Sequence, residues 1–186
     1  MKRAVLALSL CPAAVAAQAT QLDFRHQHGS GSLDMAFAGA EFTLSLAVPS
    51  FDIIGFERPA DSDDDRALVA VAISDLSKPL ELFVISEDAG CITTSANVIL
   101  TNEGFGKKDE GEAGEADTTA DEYHAEFQAD YAIQCQDMNA LGAIEFAFFN
   151  RFENVQELRV RVELSDKSHA FDVTPATPIL DISAIQ

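Results

Sequence analysis

Along most of the chain, apolar and polar positions alternate with a period of two, the signature of strands with one buried face. Leu33, Met35 and Phe37 alternate with Asp34 and Ala36, Gly39 marks a turn, and Phe42, Leu44, Leu46 and Val48 then alternate with Glu41, Thr43 and Ser45. This predicts a hairpin with one apolar face, ended by Pro49. Further strands are predicted over 80–85 and 92–101. Over 123–135, Tyr123, Phe127, Tyr131, Ile133 and Cys135 take one face of a strand, and Glu122, His124, Glu126, Gln128 and Asp130 take the other. Ile144, Phe146 and Phe148 predict an apolar strand, and Leu158, Val160, Val162 and Leu164 alternate with Glu157, Arg159, Arg161 and Glu163. Asp166 and Lys167 read as a turn into a strand over 169–173, and 179–182 as an edge strand after Pro175 and Pro178.

One segment has a different period. Over 62–77, Leu68, Val69, Ala72, Ile73 and Leu76 form a helical stripe, with Ser62 and Asp65 spaced as a capping box. Asp63, Asp64 and Asp65 suit the positive end of a helix, and Pro79 stops its continuation. A short helix is expected over 137–141. Residues 103–122 show no apolar period: Gly104, Gly106, Gly111 and Gly114 are interspersed with Asp and Glu. They predict a flexible acidic insertion between two strands. Many short antiparallel strands with one or two short helices imply a mainly β, sandwich-like or open-barrel single domain.

The first residues are expected to lie outside that domain. Lys2 and Arg3 precede an apolar run over 4–10 that is too short to span a bilayer, and Pro12 and a small-residue tail follow. This is the layout of a cleaved secretory signal over 1–17, with an error of about two residues in the cut. The mature domain would then be 18–186, with no later membrane-spanning run. Lys and Arg number 12 against 31 Asp and Glu, so the formal charge is -19 and falls to -21 once Lys2 and Arg3 leave. Such a surface disfavours nucleic acid and anionic lipid and suits cations. The chain has 13 Phe and no Trp, so aromatic burial must rest mainly on Phe.

Export also changes the reading of the cysteines. Cys11 departs with the signal, leaving Cys91 and Cys135, 44 residues apart. In an oxidising compartment two such cysteines pair, which the chain-entropy description values at about 4 kcal/mol. The alternative, two thiolates on a metal, suits their wide spacing poorly, because no CxxC is present.

Candidate chemistry is sparse. The chain has no GxSxG, P-loop, GxGxxG or HExxH motif. Asp61-Ser62-Asp63-Asp64-Asp65 begins like an EF-hand loop, but Arg66 stands where Gly is needed and Ala72 where Glu is needed, so helix capping explains it better. The four histidines say more. His26 and His28 flank Gln27, and in an extended chain they point to one side with Cα atoms about 6.6 Å apart, close enough to share a zinc ion. Gly29 and Gly31 let the chain turn away. His124 lies between Glu122 and Glu126 on the polar face of its strand, either as a ligand or as a solvated ion-pair partner. His169 reads as structural or exposed.

His26-Gln27-His28-Gly29, the hairpin up to Pro49, and Gly55-Phe56-Glu57 together resemble the signature of the ZrgA family, periplasmic proteins of Gram-negative bacteria linked to zinc uptake. Cys91, His124-Ala125-Glu126-Phe127, Tyr131 and Cys135 follow in the same order, so the resemblance spans nearly the whole mature chain. It implies a periplasmic protein that binds Zn2+ and assists a zinc importer or its binding protein. Two departures stand out. The family's His-rich stretch before the position of His124 is replaced here by the acidic insertion. Arg58 also follows Gly-Phe-Glu, where the family tends to have His. What remains is one set of good ligands, His26, His28 and His124, with Glu57, Glu126 or an acidic loop residue completing it.

The expectation is therefore a monomeric, non-enzymatic, periplasmic zinc-binding protein that assists zinc uptake. The alternative is a metal-free β-sandwich adaptor that binds a protein partner through its acidic surface. A carboxylate-based hydrolase would need a concave pocket with a strongly shifted carboxyl group, for which the sequence offers no sign.

Overall fold

The computed structural model describes residues 27–103, 124–164 and 167–183. In chain order the elements are β1 (Ser30–Ala38), β2 (Glu41–Pro49), α1 (Ser50–Ile54), α2 (Asp63–Leu76), α3 (Pro79–Leu82), β3 (Val84–Ile85), β4 (Ile92–Glu103), β5 (His124–Gln134), β6 (Ala143–Glu145), α4 (Phe148–Arg151), β7 (Glu157–Leu164), β8 (Lys167–Val173) and β9 (Ile179–Asp181). The expected signal segment lies outside the described residues. So does the expected insertion, apart from Glu103, which closes β4.

The strands form two sheets, one of six strands in the order β4-β5-β2-β1-β7-β8 and one of three in the order β3-β6-β9. The fold is mainly β, as the alternating pattern implies, and the sheets do not close into a barrel. The predicted hairpin is present: β1 and β2 pair antiparallel from Ser32↔Ala47 to Ala38↔Glu41, across a turn at Gly39. The inner face of the large sheet buries Leu33, Met35, Leu44, Leu46, Phe127, Tyr131, Val160 and Val162. Its outer face is polar: Ser45 donates to Asp130 at 2.7 Å, and Arg161 pairs with Asp34 at 2.9 Å.

Helix α2 begins as its sequence dictates. Asp65 N donates to Ser62 Oγ at 3.0 Å, and Ser62 N donates back to Asp65 Oδ2, closing the capping box. Ala72 and Leu76 are buried, and the Tyr131 hydroxyl donates to Leu76 O at 2.7 Å, tying the helix to β5. Burial of that phenol pushes its pKa up from the ordinary value, so it remains a donor. Phe83, Phe146, Phe148 and Phe152 form a buried cluster with ring centroids 4.9–5.9 Å apart, the Phe-based aromatic core expected of a chain without Trp.

The structure corrects several expectations. The strands are not all antiparallel, since β1 runs parallel to β7 from Ser30↔Glu157 to Phe37↔Leu164. Residues 80–85 are not one strand. Pro79 takes the first turn of α3, where its missing N–H costs nothing, and β3 keeps two residues. The apolar run from Ile144 to Phe148 divides between β6 and α4, because Phe148, Phe149 and Phe152 bury on a helical spacing. Helix α1 directly follows Pro49, where the pattern showed none. Leu68 is 48% exposed, so the buried stripe of α2 is narrower than its apolar spacing implies.

The two cysteines do pair. Cys91 and Cys135 form a disulfide across the start of β4 and the end of β5, beside the pair Ile92↔Gln134.

Candidate metal centre

Strands β1 and β5 flank β2, so the start of β1, the end of β2 and the start of β5 meet at one end of the large sheet. Pro49, the last residue of β2, pairs with Glu126, and His124 pairs with Glu103 at the end of β4. From that end β2 continues into α1 and then into the loop that carries Glu57. Strands two places apart in a sheet lie roughly 10 Å from each other, so a side chain reaching in between them can touch both.

Glu57 is that side chain. Its Oε1 lies 3.7 Å from His28 Nδ1 and its Oε2 lies 3.7 Å from His124 Nδ1. The carboxylate is 13% exposed, with His28 more open at 55% and His124 at 37%. These separations exceed hydrogen-bonding length but are within a few tenths of an ångström of the roughly 3.3 Å between neighbouring ligands on a tetrahedral zinc. Two imidazoles and one carboxylate make a borderline donor set that suits Zn2+. Among the described residues, no group of three or more His, Cys, Asp or Glu side chains is placed so that it could hold a metal ion, so His28, His124 and Glu57 stand as a partial set of candidate ligands. His26, the third imidazole expected from the sequence, lies outside the described residues.

His28 and Glu57 are each held by their own support. His28 sits in a turn closed by Ser30 N donating to Gln27 O at 3.1 Å, with Gly29 at a φ of 80° as in a type II turn. Gly29 N donates to Asp52 Oδ2 at 2.7 Å, and Gly29 O accepts from Gln156 N at 2.8 Å and Glu157 N at 3.0 Å. The imidazole packs against Phe51, with ring centroids 4.8 Å apart. Of the two glycines expected to turn the chain, Gly29 does so. Gly31 lies within β1, where a Cβ would meet Leu158 and Val48 at 2.8 Å, so close packing of the strands demands it.

The Glu57 loop is fixed on both sides. Buried Ser50 donates through Oγ to Phe56 O at 2.7 Å. Arg58 forks onto both oxygens of Asp65 at 2.7 and 2.9 Å and lies over the Phe56 ring at 4.6 Å. That fork, together with the Ser62 hydroxyl, holds the Asp65 carboxyl well below the usual carboxylate range. A depressed carboxyl pKa contributes stability above its unfolded value and loses it as pH falls through the folded one, so the clamp is fully engaged at neutral pH.

A sequence profile of ZrgA family zinc uptake proteins matches residues 25–182. The chain belongs to this family. No individual curated protein matches it. The match covers the entire site and both cysteines, and ZrgA membership connects this chain to zinc uptake. It also gives meaning to Arg58, which stands where the resemblance to ZrgA proteins calls for His. Its guanidinium is taken up by Asp65, so the position supplies loop rigidity instead of a ligand.

The remaining candidates fall less centrally. Glu126 lies two residues from His124 on the same face of β5 and accepts a hydrogen bond from the Gln128 amide. His169 pairs with Val162 between β8 and β7, four strands from β5 in the sheet order, and its ring lies 6.4 Å from Phe171. Sequence reading missed Asp52 and Ser50. The available signal was a carboxylate set within Phe51-Asp52-Ile53-Ile54, an apolar context that buries it to 3% exposure and so requires a partner.

Replacing Gly29 by Ala should test the turn. An L side chain at positive φ costs about 1–2 kcal/mol, and room around the position leaves the backbone as the source of strain. Thermal unfolding should show that loss, and zinc titration should show weakened binding because His28 is displaced.

Proposed function

We propose that the protein is a periplasmic zinc-binding accessory protein of a zinc-uptake system. In this reading it captures Zn2+ between His28, His124 and Glu57 and passes it to an importer or its binding protein. The observation that carries the proposal is the convergence of two imidazoles on one carboxylate from three separate segments, all within the range 25–182 that matches the ZrgA family. His26, two residues before His28, is the proposed additional imidazole, and Glu126 is the weaker oxygen donor. Zinc is the cargo, and the role involves no bond-breaking step. Neutral imidazole binds metal and imidazolium does not, so capture is a property of near-neutral solution. The charge of -19 raises the local concentration of cations around the site, an effect that added salt screens.

Calorimetric titration of the mature chain with Zn2+ should give about one ion per chain. No stoichiometric binding at micromolar concentration would favour the metal-free adaptor.

A further inference from the structure

Helix α2 is apolar on more than the side it buries. Ala72 and Leu76 face the core. Residues 67–74 carry no charge, and Ala67, Ala70, Val71 and Ser74, which recur at i, i+3, i+4 and i+7, are all exposed. Leu68 lies beside them at 48% exposure, and Val71 is at 51%. A helix that is apolar around most of its girth is ordinarily covered around most of it, because apolar surface left in water is costly. Helix α1 packs against α2 and leaves a groove of about 270 Å3, lined by Ile53, Ile54, Leu68, Val71, Ala72 and Phe152. That volume falls below the roughly 300–1,000 Å3 of a small-molecule site and suits side chains from another protein.

We propose that this groove docks an amphipathic helix of a partner protein, its apolar stripe laid along α2 and flanked by Lys or Arg. Charge selects the occupant. The guanidinium groups around the groove are already paired, Arg58 with Asp65, Arg66 with Asp63 and Arg151 with Asp75. Asp61 and Asp64, exposed at the start of α2, complete no ion pair among the described residues. The result is an apolar trough with a negative end in a chain of charge -19. It complements apolar side chains flanked by positive ones, and it repels a second copy of this chain and anionic lipid. The surface spacing fits the helix-in-groove mode, in which Leu68 and Val71 offer apolar contact and Ala67 and Ala70 let a helix approach closely. Gly55, which borders the groove, stands two residues before Glu57, and Phe51 of α1 packs on His28. A partner seated there lies beside the candidate ligands. That such a partner receives zinc rests on the delivery reading above, whereas the docking face stands without it.

The test is fluorescence anisotropy of a labelled helical peptide of about 18 residues, with Leu at i, i+3, i+4 and i+7 and Lys elsewhere, titrated with the mature chain in the absence of zinc. The expected result is binding in roughly the micromolar range that weakens as salt rises. The same peptide with Glu in place of Lys, or with its residues reordered so that no stripe forms, should bind about tenfold more weakly or worse. Leu68→Gln combined with Val71→Gln should weaken binding of the Lys peptide by about tenfold and leave the melting temperature nearly unchanged, since both side chains are half-exposed. Ile179→Gln, at an exposed apolar position on β9, should leave binding as it is. Absence of binding by wild type, or equal binding by the reordered peptide or by the Leu68 and Val71 variant, would overturn the proposal. So would a dimer of the chain alone that the paired substitutions dissolve, because a second copy would then occupy the groove. With zinc absent from this assay, its failure leaves calorimetric zinc binding untouched, and failure of zinc binding leaves the docking result untouched.

Discussion

A chain carrying Glu57→Gln is expected to bind zinc about 100-fold more weakly than wild type while melting at nearly the same temperature. The carboxylate stands between His28 Nδ1 and His124 Nδ1, 3.7 Å from each, and is the one charged donor among the three. The amide keeps the shape of the side chain and its place in a loop that is held by other residues, Ser50, Arg58 and Asp65. What it loses is the negative charge that offsets the ion's. His28→Ala with His124→Ala should go further and remove stoichiometric binding, as should His26→Ala with His28→Ala. His169→Ala, on β8, should leave binding unchanged. Calorimetry on all four, with circular dichroism to verify folding, reads the result. Wild-type affinity in Glu57→Gln would show that zinc is held elsewhere.

The second large effect concerns stability. Reducing Cys91–Cys135, or replacing both cysteines by Ser, releases a loop with a separation of 44 residues. The chain-entropy relation values that constraint at about 4 kcal/mol, which for a chain of this size corresponds to a fall in melting temperature of roughly 8–16 °C. Calorimetric melting with and without reductant measures it. The bond lies at the opposite end of β5 from His124, so zinc affinity of the reduced, still folded protein should change little. A melting temperature insensitive to reductant would show that β4 and β5 are held in register by their ladder alone.

Much of the fold was legible because burial on one face of a sheet enforces strict alternation. The β1–β2 hairpin, β5 and β7 could be read residue by residue, since each slip by one position would expose an entire apolar row. The capping box of α2 was legible for a similar reason, because its two hydrogen bonds require only Ser62 and Asp65 at fixed spacing. Runs that bury on all sides gave a weaker signal. Phe146, Phe148, Phe149 and Phe152 are apolar whichever period is assumed, so only their packing around Phe83 divides the segment between β6 and α4.

The site divides along the same line. The sequence by itself determined the candidate ligand types, through the His26-Gln27-His28 spacing, the Gly-Phe-Glu at Glu57 and the polar face that carries His124. It also pointed to the cysteine pair, because the signal-like start makes an oxidising compartment the expected one, and there two such cysteines pair. Only the tertiary structure decided which of these candidates meet. That follows from strand order: β1 and β5 are distant in sequence but both border β2, whose continuation carries Glu57 into the space between them. Periodicity reports which face of a strand is buried and nothing about its neighbours, since every strand in a sheet shows the same period. The supports provided by Asp52, Ser50 and the Arg58–Asp65 fork were hidden for the same reason, because each joins segments that come together only when the chain is folded.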